Sequence, residues 1–87
     1  MNMEKNLFGV VLSKIKDGMT IVFTKDNIDK DDNFLIFSAY KEIKVWFRRY
    51  SSGIVKVFFS CDEPMLLEDC PQSFYKSILK NIEYEIK

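Results

Sequence analysis

The sequence predicts an α+β domain: an N-terminal helix, a meander of three or four antiparallel strands and a C-terminal helix, packed as two layers. Three observations predict it. Apolar residues recur at helical spacing near both ends of the chain. Between them lie segments dense in Ile, Val, Phe, Trp and Tyr, which suit a half-buried pleated surface. The longest of these segments is broken by Ser51-Ser52-Gly53, a turn composition. Helices segregated against an antiparallel sheet make a two-layer domain.

The first helix is read from Met3 to Lys16, with Met3, Leu7, Val10, Val11 and Ile15 as its apolar stripe. Asp17-Gly18 stops it, with Gly18 at the C′ position. Met19 to Lys25 alternates as a strand that carries Ile21 and Phe23 on one face. Asp26 to Asn33 is a loop by composition, and Phe34 to Tyr40 reads as a second strand.

Ile43 to Cys61 is the most informative segment. If Ser51-Ser52-Gly53 is a three-residue hairpin loop with Gly53 left-handed, Tyr50 pairs with Ile54, Arg48 with Lys56, Trp46 with Phe58 and Lys44 with Ser60. The other face then pairs Arg49 with Val55, Phe47 with Val57, Val45 with Phe59 and Ile43 with Cys61, and is almost wholly apolar. A two-residue loop shifts the register by one and mixes the faces, so the pattern selects the loop length. A rival reading caps a helix at Ser38 and runs it through Tyr50 to a stop at Gly53. The run of β-branched and aromatic residues decides for strand.

After Asp62-Glu63-Pro64, the residues Met65, Leu66 and Leu67 read as a connection that lids the core, with an anchor for a partner as the alternative. Asp69 or Cys70 caps a second helix with Pro71 at its first position and Phe74, Ile78, Leu79 and Ile82 as its stripe. The tail from Ile82 to Ile86 alternates strictly and fits an edge strand equally well.

The 87 residues, 1–87, are read as one domain. A chain of this size buries roughly 64% of its extended surface on folding, enough for one modest core. The apolar fraction is 47% and includes eight Phe, so that core forms without a staple. Thirteen cations balance thirteen carboxylates. Zero net charge weighs against a bulk-charge nucleic-acid binder and against an acidic DNA mimic. Cys61 and Cys70 form no Cys-x-x-Cys pattern, and neither a leader nor a membrane segment is read, so the expectation is a cytoplasmic protein with reduced thiols.

Catalytic and metal chemistry find little purchase. With no His, Cys–His and Ser–His schemes are excluded. Gly9, Gly18 and Gly53 stand apart, which excludes a Gly-rich phosphate loop. Asp29, Asp31 and Asn33 have the spacing that opens a calcium loop, but Phe34 replaces its Gly and Tyr40 its closing Glu. Cys70 stands before a helix N-terminus, where a thiol pKa can fall, yet no base is singled out beside it. No catalytic residue, metal ligand or cofactor is therefore assigned.

The mixed face of the hairpin carries the functional expectation. Lys44, Trp46, Arg48, Tyr50, Lys56 and Phe58 project together from two strands. Trp, Tyr and Arg are the usual anchors of protein interfaces. Aromatics with cations also serve single-stranded nucleic acid. A bland alternative covers Trp46 and Phe58 with a helix while the charged tips reach solvent. The expectation is a non-enzymatic module that docks on another protein, of the inhibitor, immunity or phage accessory kind. A nucleic-acid binder and a self-associating assembly subunit are its alternatives.

Overall fold

The computed structural model describes residues 4–35 and 40–85. Helix α1 spans Glu4–Lys14, strand β1 Thr20–Phe23, β2 Ile43–Arg49, β3 Val55–Phe59 and β4 Met65–Leu66. A 3₁₀ turn at Leu67–Asp69 follows, and helix α2 spans Gln72–Glu85. The four strands form one antiparallel sheet in the order β1-β2-β3-β4. The fold is the α+β, helix–meander–helix arrangement that the sequence predicts.

The hairpin follows the register that the alternation demands. Val45 pairs with Phe59, Trp46 with Phe58, Phe47 with Val57, Arg48 with Lys56 and Arg49 with Val55. The turn closes by hydrogen bonds from the Gly53 N–H to the Tyr50 carbonyl and from the Tyr50 N–H to the Ile54 carbonyl, each 2.9 Å. Gly53 takes φ 94°, a left-handed conformation that strains any side chain. The helical alternative ending at Tyr50 fails for 43–49, which are strand; its proposed cap, Ser38, lies outside the described residues.

The odd-numbered face is the core. Ile21, Phe23, Ile43, Val45, Phe47, Val55, Val57 and Phe59 are buried on it. Both helices cover this face: Val11 of α1 and Ile15 just after it join its cluster, and the Phe74 ring of α2 packs against Phe23 and Phe59. Of the expected first-helix stripe, Leu7, Val11 and Ile15 face the core, Val10 does not, and Met3 lies outside the described residues. Val10 is exposed, while Phe8 and Leu12 pack on the core beside Leu7. A helix in contact with both a sheet and α2 needs a wide apolar arc, and Leu7, Phe8, Val11, Leu12 and Ile15 supply it. Phe8 meets Tyr75 of α2 with ring centroids 5.8 Å apart.

Gly18 is displaced from the expected C′ position. The last helical hydrogen bond runs from the Ile15 N–H to Val11, and a separate turn follows, closed by the Met19 N–H on the Lys16 carbonyl. Gly18 sits at its third position with φ 84°, the conformation a type II turn requires there. The carbonyls at the end of α1 are satisfied from the sheet: the Arg49 guanidinium donates to the Leu12 and Ile15 carbonyls. This explains the one cation on the otherwise apolar face, since a helix C-terminus favours positive charge.

One further expectation is corrected and another extended. Phe34 and Leu35 form a bend, so the strand expected over 34–40 does not begin there; 36–39 lie outside the described residues. The segment read as a lid does cover the core, with Leu67 buried in it and Met65 packed against it, while Met65 and Leu66 also pair with Val57 and Lys56 as the fourth strand. The alternating tail stays helical as far as Glu85, because α2 continues through it; Ile86 lies outside the described residues.

The acidic loop is tied to α2. Asp32 is buried and accepts hydrogen bonds from Ser77 Oγ (2.7 Å), Ser73 Oγ (3.2 Å) and the Phe34 N–H (2.9 Å). Asn27 and Asn81 pair through both side chains, and the Asp29 N–H donates to Ser77 Oγ. Satisfying every partner of a buried carboxylate is what makes its burial tolerable.

The turn yields a stability prediction. A Cβ at position 53 meets nothing within 4 Å, so a substitution there tests backbone conformation alone. Gly53→Val should destabilise the fold by about 1–3 kcal/mol in denaturant melts. A variant curve that overlays the parent's would contradict the turn.

Candidate functional site

The sheet's second face is built by the alternation that builds the core. Lys44, Trp46 and Arg48 on β2 and Lys56 and Phe58 on β3 all point away from the buried side. Tyr50 follows β2 and is exposed. Five of the six expected residues therefore fall on one side of the hairpin, and the Tyr50 ring lies beside Arg48 at its end. Both helices pack on the opposite side, so Trp46 and Phe58 stay half-buried and outside the core cluster. The alternative in which a helix covers these two rings is not what α1 and α2 do.

The face is wider than the hairpin. Thr20 of β1 lies opposite Trp46, and Val22 opposite Lys44. Leu66 of β4 lies opposite Lys56. Two rows thus cross the sheet: Thr20, Trp46 and Phe58 in one, and Arg48, Lys56 and Leu66 in the next. Val22 is exposed as well. Its outward direction follows from the burial of Ile21 and Phe23 on either side. Leu66 belongs to a two-residue strand, too short for any periodic signal.

Trp46 and Phe58 stack with centroids 5.8 Å apart and planes 10° from parallel. One face of each ring is turned to the other. Arg48 holds its guanidinium 6.0 Å from the centroid of the Tyr50 ring. Its Nε also meets Asp17 Oδ1 at 3.4 Å, with more than half of each side chain in solvent. Such an exposed pair adds little stability, at most about 1 kcal/mol. Asp17 is held there because the same Oδ1 accepts the Arg49 N–H at 2.8 Å. It sets one negative charge at the edge of a positive field, near the like-charge pair Arg48 and Lys56.

The thiols lie away from this face and differ from each other. Cys61 is exposed and Cys70 buried, and both are free. Burial, with the negative charges of Asp69 and Asp32, pushes the Cys70 pKa up to about 12. The position before a helix does not lower it, because the thiol is enclosed and its Sγ points to the Leu66 carbonyl at 3.6 Å. A thiol held protonated is a poor nucleophile. Tyr75 is also buried, donates its hydroxyl to the Leu67 carbonyl at 2.6 Å, and is likewise pushed up to about 12 by desolvation first.

Among the described residues, no cluster of His, Cys, Asp and Glu can hold a metal ion, and no helix is long and apolar enough to cross a membrane. Comparison with protein-family models, with curated proteins and with solved structures finds no match.

Both raised groups are neutral when protonated, which fixes the sign of a pH effect. Their contribution to stability is complete below their ordinary values, 9.0 for Cys70 and 10.0 for Tyr75. It is lost as pH rises from there towards about 12, where the unfolded chain has released protons that the folded chain still holds. The Tm should therefore fall over this alkaline range, and more gently in Tyr75→Phe. Identical alkaline slopes for parent and variant would contradict a buried, hydrogen-bonded Tyr75.

Proposed function

We propose that this protein is a non-enzymatic binding module that docks on another protein through the open face of its sheet. The observation that carries the reading is the Trp46–Phe58 stack on a face that neither helix covers, flanked by Arg48, Tyr50 and Lys56. Aromatic rings fixed against each other lose little freedom on binding and offer apolar area at once, which is why such residues dominate interface energetics.

Two details favour a protein partner over single-stranded nucleic acid. Bases stack on free ring faces, and here Trp46 and Phe58 each turn one face to the other. A phosphate chain running past Arg48 also meets the Asp17 carboxylate. Self-association through the β1 edge is disfavoured as well. The Lys44 N–H and carbonyl are both engaged by Ser60, so the Val22 carbonyl faces outward, and Asn27 Nδ2 already donates to it at 3.0 Å. An inhibitor, immunity or phage accessory role, in the cytoplasm, fits a small module of this kind.

Affinity capture from a host lysate, with quantitative mass spectrometry, tests the reading. A protein retained by the parent and by Val10→Ala should be lost from Trp46→Ala and Tyr50→Ala, each weakening binding by about 2 kcal/mol or more. Lys56→Glu supplies a variant without loss of an aromatic. Retention unaffected by all three face variants, or retention of nucleic acid in place of protein, would overturn it.

A further inference from the structure

The charges of the open face specify what kind of segment covers it. Its strand residues are Thr20, Val22, Lys44, Trp46, Arg48, Lys56, Phe58 and Leu66, which include three cations and no carboxylate. Arg48 lies directly opposite Lys56, a like-charge pair that destabilises the free sheet. The protein's own compensation is partial. Asp17 reaches the Nε of Arg48 from the side, and no acidic residue stands in the row with Lys56. Next to this row on the same face lies the apolar row of Trp46 and Phe58, two residue pairs further along the hairpin.

Resting on the binding reading above, we infer that the partner presents an acidic segment with apolar side chains. Its carboxylates lie over Arg48 and Lys56, and its apolar groups over the Trp46–Phe58 stack. A carboxylate above the like-charge pair turns a local repulsion into two charge-assisted contacts, with the planar Arg48 fork suited to accept it. The same positive row excludes a second copy of this face, because face-to-face pairing would set cations against cations. It also excludes a basic partner. The apolar row requires more than charge, since a fully hydrated acidic chain leaves the rings of Trp46 and Phe58 in water.

Three short synthetic peptides of one length test this: one alternating Asp and Glu with Leu and Phe, one with Lys in place of the acids, and one with Ser. An oligothymidine strand is the fourth probe. Trp46 is the only Trp, so its indole N–H resonance and its fluorescence report on this face alone. The acidic peptide should shift the indole resonance and those of Lys56 and Phe58, with a Kd that weakens as salt rises. Arg48→Glu with Lys56→Glu should weaken that binding by about tenfold or more, while Trp46→Phe keeps most of it. Binding of the Ser or Lys peptide at least as tight as the acidic one would overturn the charge assignment while leaving a protein-binding face intact. No shift with any peptide, or a shift with oligothymidine alone, would overturn both.

Discussion

The register of a single hairpin divides this molecule into an inside and an outside. Because Gly53 adopts φ 94°, three residues reverse the chain, and Phe47 meets Val57 while Trp46 meets Phe58. A slip by one residue would pair Trp46 with an interior position and carry Arg48 towards the core. The continuous apolar surface of Ile43, Val45, Phe47, Val55, Val57 and Phe59 is what α1 and α2 cover. The face carrying Lys44, Arg48 and Lys56 is the consequence on the other side of the same pleat.

Polar contacts then fix how the covering layer sits. Arg49 holds the end of α1 through the carbonyls of Leu12 and Ile15, and its backbone N–H holds Asp17. Asp32 holds the acidic loop to α2 through Ser73 and Ser77. Apolar packing is non-directional, so it favours burial of the helices without choosing their exact seat; directional bonds to a carboxylate and a guanidinium narrow the choice. These two anchors also connect structure to surface. Asp17 is positioned by Arg49 on the core side, and from there it reaches Arg48 on the open side.

The hairpin was legible in the sequence because two strands of period two leave one loop length that keeps their apolar residues together. Trp46, Arg48, Lys56 and Phe58 lie where the pairing puts them. Other elements carried no comparable signal. Met65 and Leu66 form a strand only because β3 offers them an edge, and two residues have no period. Val10 looks like a stripe residue in a one-partner helix, but α1 packs on both a sheet and α2, which turns the buried arc towards Phe8 and Leu12. Tyr75 was missed beside Phe74 because its burial depends on the Leu67 carbonyl, a partner that the 3₁₀ turn supplies. The same holds for Asp17, whose place beside Arg48 is a tertiary fact. The inward turn of Asp32 to two serines of α2 is another.

The turn at Gly53 sets the register and with it the separation of the two faces. Nuclear Overhauser contacts across the hairpin measure this directly. Cross-strand contacts are expected between Arg48 and Lys56 and between Trp46 and Phe58, with the Phe47 ring contacting Val57 and the helices. Contacts that pair Trp46 with Val57 or Phe59, or that place the indole against α1 or α2, would contradict it.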